Sequence, residues 1–250
     1  MPEWLAPALG QPGLVWLLAA AAVAGLVRGF TGFGTAMVYL PVAGQFLGPF
    51  EALTTLVIMD MIGPLPNVPR ALHDGHPRDV LRLATGMLVA LPLGVWVLTL
   101  ASPEMFRYGV SVIALVLLVL LVSGVRYTGR LSRRLIYGTG GLGGFLAGVA
   151  GLPGPPVIMF YMAAPHPPRV IRANTLLYLV LSDLVMLAVL ALFGRLVPQA
   201  LGLGLLVTLP YLAGNVLGAR LFRPRAERLY RLVAYVIIAV SALQGLPLFD

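Results

Sequence analysis

GLVRGFTGFG at residues 25–34 and GFLAGVAGLPG at residues 144–154 decide how this chain is read. Both lie inside long apolar runs, and their glycines share one spacing. Gly25, Gly29 and Gly32 recur as Gly144, Gly148 and Gly151, an offset of 119 residues. Other markers keep nearly that offset: Thr55-Leu56 with Thr175-Leu176, Leu91-Pro92 with Leu209-Pro210, and Gly124 with Gly245. Each is weak alone, but their common order indicates an internal duplication. The halves are residues 1–125, opening on a hairpin over 13–48, and 126–250, opening on a hairpin over 135–165.

Composition places both halves in a membrane. Of 250 residues, 59% are hydrophobic and 10% charged, with a mean hydropathy of +0.94; a soluble domain averages roughly 45–50% apolar and about 25% charged. Runs near the roughly 20 apolar residues that cross a bilayer predict eight helical elements. They lie near 13–42, 51–69, 80–100, 104–124, 135–163, 170–193, 198–219 and 228–246, joined by connections too short to fold alone. The fold class is therefore all-α and polytopic. Glu3 and the lack of a basic leader predict that the first run is retained, and Trp4 and Trp16 read as interfacial anchors. All 17 basic residues are Arg, against 9 acidic ones, for a net charge of +8. A nucleic-acid footprint needs a solvated basic face, which so few charges between apolar runs do not build, so no nucleic-acid partner is expected. The absence of cysteine excludes a disulfide framework, a thiolate metal site and Cys catalysis.

Loop charge sets orientation, because short Arg-rich loops stay in the cytoplasm. Corresponding connections of the two halves carry opposite charge preference. Glu51 corresponds to Arg169 and Arg172, and Arg70, Arg78 and Arg82 to Arg195 alone. Arg107 stands against Arg220, Arg223, Arg225, Arg228 and Arg231, while Arg126, Arg130, Arg133 and Arg134 face a terminus holding only Asp250. Two inverted-topology repeats would show this reversal. Inversion requires an odd number of crossings per half, so one of the four elements must not cross. The first is expected to be a Gly-broken re-entrant hairpin with arms of about 16 and 14 residues, each shorter than the roughly 30 Å hydrocarbon core. Fourteen of the 17 arginines then fall on one side and both termini outside.

Unwound backbone at membrane depth is tolerated only where protein buries it or water reaches it. The breaks at residues 29–35 and 148–156 therefore point to a central site. The second arm of each hairpin begins at its break, so its N–H groups and positive dipole end suit an anion. Candidate contacts are Arg28, Gly29, Thr31, Gly32, Gly34, Thr35, Gly148, Gly151 and Gly154. Two alternatives stay open: the glycines serve close helix packing, and Arg28 caps carbonyls or pairs with an Asp. Asp60 and Asp183 read either as carriers of a coupling proton or ion or as charge partners, and Asn174 and Asn215 as further polar contacts. His73-Asp74-Gly75-His76 has the form of a metal-ligand pair, but no further ligands cluster with it in sequence, so a solvated loop and no metal or cofactor are expected. Gly140-Gly141-Leu142-Gly143-Gly144 is no phosphate loop, since the chain has no lysine. No nucleophile, base or metal cluster for an enzyme emerges.

The stretches AGLVRGFTGFGTAMVYLPV at 24–42 and GGFLAGVAGLPGPPVIMFYM at 143–162 resemble the sulfite exporter TauE/SafE family of membrane transporters, also called TSUP, and the resemblance covers nearly the whole chain. It implies movement of sulfite, thiosulfate, organosulfonates or related small organic anions across the bacterial inner membrane, commonly outward. It also implies that Gly29, Gly32, Gly34, Gly148, Gly151 and Gly154 line the site. The resulting expectation is a secondary transporter working by alternating access. Its partners are a small anion, the lipid bilayer and a coupling proton or sodium ion. A channel, an uptake carrier for anions of the 2-oxo acid class, and a membrane-embedded enzyme are the alternatives.

Overall fold

The computed structural model of the chain describes residues 5–124, 127, 132–161, 166–222 and 226–246. Glu3, Trp4, Arg126, Arg130, Arg223, Arg225 and Asp250 lie outside them. Every regular element among the described residues is helical: α1 (Leu5–Leu9), α2 (Leu14–Thr31), α3 (Thr35–Ala43), α4 (Pro49–Ile62), α5 (Val68–Asp74), α6 (Pro77–Thr99), α7 (Pro103–Val122), α8 (Arg133–Ala150), α9 (Gly154–Tyr161), α10 (Pro168–Leu192), α11 (Pro198–Leu221) and α12 (Glu227–Gln244). Helices α2, α6, α7, α11 and the Arg169–Leu192 part of α10 are each long and apolar enough to cross a bilayer. Their outer faces are apolar, with Leu88, Val89, Leu93 and Trp96 exposed on α6 and Val112, Val116 and Val119 on α7. A surface of that kind is stable against lipid rather than water, as expected of a polytopic membrane protein.

Three of the expected elements differ in extent. The run 51–69 is not one helix: α4 ends at Ile62, and a 3-10 turn at Leu65–Asn67 leads into α5. Pro64 and Pro66 account for this, since each lacks an N–H and disfavours helix at the residue before it. The hairpin arms are also unequal, at 18 and 9 residues in the first and 18 and 8 in the second. The long arm α2 spans roughly 27 Å and the short arm α3 roughly 13 Å. Helix carries through Gly25 and Gly29 and stops only at Gly32 (φ 79°) and Gly34 (φ 97°), left-handed positions that side chains disfavour. The long arm of the second hairpin, α8, stops in the same way at Gly151, φ 66°.

Local chemistry fixes several helix starts. Pro49 opens α4, and the Glu51 carboxylate accepts the Gly48 N–H at 3.0 Å. Ser132 caps α8 by accepting the Leu135 N–H at 3.2 Å.

The chain divides into two compact units, each drawing on both sequence halves. The first comprises Met1–Gly63, Ala101–Leu118 and Arg195–Asp250; the second comprises Pro64–Leu100 and Val119–Gly194. In the first, α11 packs on α2 and α4, and α12 on α3. Both arginines expected on the minority side have local partners here: Arg107 Nε donates to the Gly245 carbonyl at 3.0 Å, and the Arg195 guanidinium lies 5.3 Å from the Phe50 ring centre. In the second unit, α6 packs along α8, and α10 against α5, α6 and α9.

The dominant contact of each unit is backbone on backbone. A Cβ on Gly25 or Gly29 would collide with the carbonyl oxygen of Tyr211 or Asn215 on α11, and one on Gly214 or Gly218 with that of Ala22 or Leu26 on α2. The α6–α8 pair repeats the device, with Gly140, Gly144 and Gly148 facing Leu83, Met87 and Leu91, and Gly86 and Gly94 facing Tyr137 and Phe145. Without a hydrophobic drive between helices in lipid, such close approach is a main source of packing energy. Gly25→Ala and Gly144→Ala should each destabilise by about 1–3 kcal/mol. Gly138→Ala, exposed on α8 with open space around it, should stabilise by up to about 1 kcal/mol through helix propensity. Thermal unfolding in detergent separates the two cases, and equal shifts at all three positions would contradict the packing.

Candidate functional site

Arg28 lies one turn before the end of α2, in a helix otherwise free of charge. An unpaired guanidinium there would be costly, and the fold supplies its partner from α4. Arg28 Nη1 stands 2.9 Å from both carboxylate oxygens of Asp60. The two side chains are only 11% and 13% exposed. Thr35, the first residue of α3 and 2% exposed, adds its hydroxyl: Oγ1 accepts from Arg28 Nη1 at 3.3 Å and donates to Asp60 Oδ1 at 3.2 Å. Tyr211 of α11 donates its phenolic proton to Asp60 Oδ1 at 2.7 Å, and its oxygen lies 3.4 Å from Thr35 Oγ1.

The break itself is internally bonded. The Gly32 N–H donates to the Arg28 carbonyl at 2.7 Å, closing α2. Thr31 Oγ1 lies 2.9 Å from the Val27 carbonyl and 2.8 Å from that of Phe33, and accepts the Phe33 N–H at 3.3 Å. Its hydroxyl is engaged with the turn. The N–H groups of Thr35, Ala36 and Met37 begin α3 and have no intrahelical acceptor; the first helical bond runs from the Val38 N–H to the Gly34 carbonyl. An ion pair, two hydroxyls and a helix N-terminus thus converge within the first unit.

The second break is built alike but carries different chemistry. The Gly151 N–H donates to the Ala147 carbonyl at 2.7 Å, an αL-type end, and the Leu152 N–H to that of Leu146 at 3.2 Å. Gly154 opens α9, buried against Leu179, and Pro155 and Pro156 fill the first turn. At the offset of 119 residues, Ala147 stands where the first break has Arg28, and Gly154 where it has Thr35. Asp183 is buried on α10 in the second unit, at 8% exposure.

Of the residues expected to form a site, Arg28, Thr35 and Asp60 meet one another. Thr31, Gly32 and Gly34 shape the turn beside them. Gly29 and Gly148 sit on the packed faces described above. Asn174 is occupied elsewhere, its side-chain oxygen accepting the His76 N–H at 2.7 Å. Tyr211 is an addition to the expected set; a tyrosine in an apolar helix directly after Pro210 is the signal, because a buried phenol needs a polar partner. The loop 73–76 is solvated only in part. His73 is 88% exposed and bonds Asp74 at 3.2 Å, which holds that carboxyl below its ordinary value. His76 instead meets Asp79 and the sequence-distant His166.

Comparison with known proteins gives the family. No curated protein and no solved structure matches the chain. A family model described as Sulfite exporter TauE/SafE matches residues 17–244, from within α2 to the last residue of α12, and so takes in both breaks and every element that builds them. The chain belongs to the sulfite exporter TauE/SafE family, a family of membrane transporters.

Proposed function

We propose that the chain is a secondary transporter carrying a small sulfur-containing oxyanion, of the sulfite, thiosulfate or organosulfonate class, outward across the inner membrane by alternating access. The observation that carries this reading is the largely buried Arg28 at a helix break, facing the start of α3. A guanidinium offers a planar fork of donors matched to an oxyanion, and the first turn of α3 adds N–H groups and the positive end of a dipole. The anion binds by exchange, its oxygens replacing the Asp60 carboxylate on Arg28 while Tyr211 and Thr35 stay bonded to Asp60. Asp60 is the charge partner that makes an arginine tolerable in the empty carrier. The family match supports the transporter class and the sulfur-oxyanion substrate.

Removing Arg28 alone leaves a largely buried, uncompensated carboxylate, a change worth about 3–5 kcal/mol of stability, so loss of flux in that variant proves little. The decisive comparison is Arg28→Met against Arg28→Met/Asp60→Asn. The double variant should recover most of the lost thermal stability, because the amide oxygen introduced at position 60 still accepts from Tyr211, yet remain without sulfite or sulfonate flux in proteoliposomes. Restored flux would refute anion binding by Arg28. Tyr211→Phe removes one hydrogen bond to a charged group, worth about 1.5–3 kcal/mol, and should lower the melting temperature while leaving measurable flux. In the same reading the loops 70–82 and 126–134 face the cytoplasm and both termini the periplasm. Reporter fusions should be cytoplasmic at the two loops and periplasmic at the ends, and the reverse pattern would sink the topology.

A further inference from the structure

The second unit holds a cluster of metal-ligating side chains that the transport reading does not use. His76 precedes α6, Asp79 lies in its first turn, and His166 stands just before α10. Their ligand atoms converge. His166 Nε2 lies 2.9 Å and His76 Nδ1 3.7 Å from the same Asp79 oxygen, Oδ2. One ring nitrogen from each histidine and one carboxylate oxygen all lie within 4.8 Å of one another. The two imidazoles stack at 5.1 Å between centres, 29° from parallel. Asp79 is 7% exposed, and its other oxygen, Oδ1, is bonded by Arg82 at 2.9 Å. That contact turns Oδ2 toward both rings, as an outer partner orients a metal-binding carboxylate.

One atom in this cluster calls for a partner. His76 Nδ1 is buried and, among the described residues, makes no hydrogen bond, whereas buried polar atoms are nearly always satisfied. A tetrahedral ion with arms of roughly 2.0–2.1 Å holds its ligands roughly 3.3 Å apart. The observed spacings of 2.9 and 3.7 Å bracket that edge. Two imidazoles and one carboxylate suit zinc and its neighbours, not calcium or magnesium, which take shells of oxygen. Arg82 and the positive end of α6 both oppose a cation, so affinity must come from direct ligation.

We propose that His76 Nδ1, Asp79 Oδ2 and His166 Nε2 bind one divalent ion of the zinc class, with a fourth position left to water. The ion fastens the α5–α6 turn to the segment entering α10, in parallel with the Asn174 bond to the His76 N–H. The site is independent of the anion reading at Arg28.

The test uses the full chain in detergent, purified without a polyhistidine tag. The background is small, because the chain has three histidines and no cysteine. Titration with Co2+ should give one equivalent of bound ion with visible d–d absorption, displaced by Zn2+, and Zn2+ should raise the melting temperature by mass action. His76→Asn and His166→Gln should each lose the absorption and the thermal shift while melting like the wild type in EDTA; His73→Gln should keep both. Should a variant fail to fold, diamagnetic Zn2+ added to the wild-type chain should shift the ring resonances of His76 and His166 by direct ligation and leave those of His73 nearly in place. The proposal is overturned by a wild-type chain that takes up no stoichiometric Co2+ or Zn2+, by loss on His73→Gln, or by histidine resonances that respond to pH but not to metal. The last result would leave a proton-dependent His–Asp contact and no metal site.

Discussion

Close approach of helix backbones, made possible by glycines on both partners, is the constraint on which the rest of each unit depends. Where Gly25 and Gly29 of α2 meet Gly214 and Gly218 of α11, carbonyl oxygens of one helix fill the space a side chain would take on the other. That contact sets the register between the two helices to within one residue. Tyr211 lies on α11 one turn before Gly214, and Arg28 precedes Gly29, so the register that seats the glycines also brings the phenol and the guanidinium to one carboxylate. A shift of one residue would turn side chains into the interface and take Tyr211 off Asp60. The charged cluster is a consequence of helix packing.

The cluster in turn answers an electrostatic demand. A charge within a membrane helix is tolerated when it is paired and its remaining hydrogen-bonding capacity is met. Asp60 receives Arg28, Thr35 and Tyr211 together, so the pair is neutral overall and well bonded. The end of α4 two residues later, at Gly63-Pro64, limits how far helix extends past the carboxylate. A neutral bonded pair is stable on its own, and in the proposed transport cycle it is the arrangement that an oxyanion enters by exchanging one acceptor for another on Arg28.

Much of this is legible in the amino-acid order, and the rest is not, for identifiable reasons. The two breaks are readable because Gly32, Gly34 and Gly151 take left-handed backbone that other residues disfavour, a local property. The end of α4 is hidden because its apolar run continues through Pro64 and Pro66, so hydropathy masks a backbone signal. Gly29 and Gly148 share the spacing of the break glycines, yet they keep helical backbone and meet a neighbouring helix; spacing alone does not separate these two uses. Tyr211 and His166 depend on which helices become neighbours. His76 and His166 stand 90 residues apart, and no local pattern announces that they share Asp79.

The two units share a packing framework and carry unequal chemistry. Both units pair a broken helix with an unbroken one through glycines, and both breaks end on a left-handed glycine, so the shared features are those that backbone geometry requires. The polar residues are not shared. Ala147 takes the place of Arg28 and Gly154 that of Thr35, leaving the second break without a charge at its tip, while the second unit alone, among the described residues, brings two histidines to a carboxylate. Backbone hydrogen bonds at membrane depth must be satisfied in each unit, which constrains both scaffolds alike. A buried charge is needed only where it serves a purpose, because each one imposes a desolvation cost. The two units therefore share what backbone geometry demands and differ in where they place ionisable groups, and in the proposed transport cycle the arginine at the first break is the group that meets the anion.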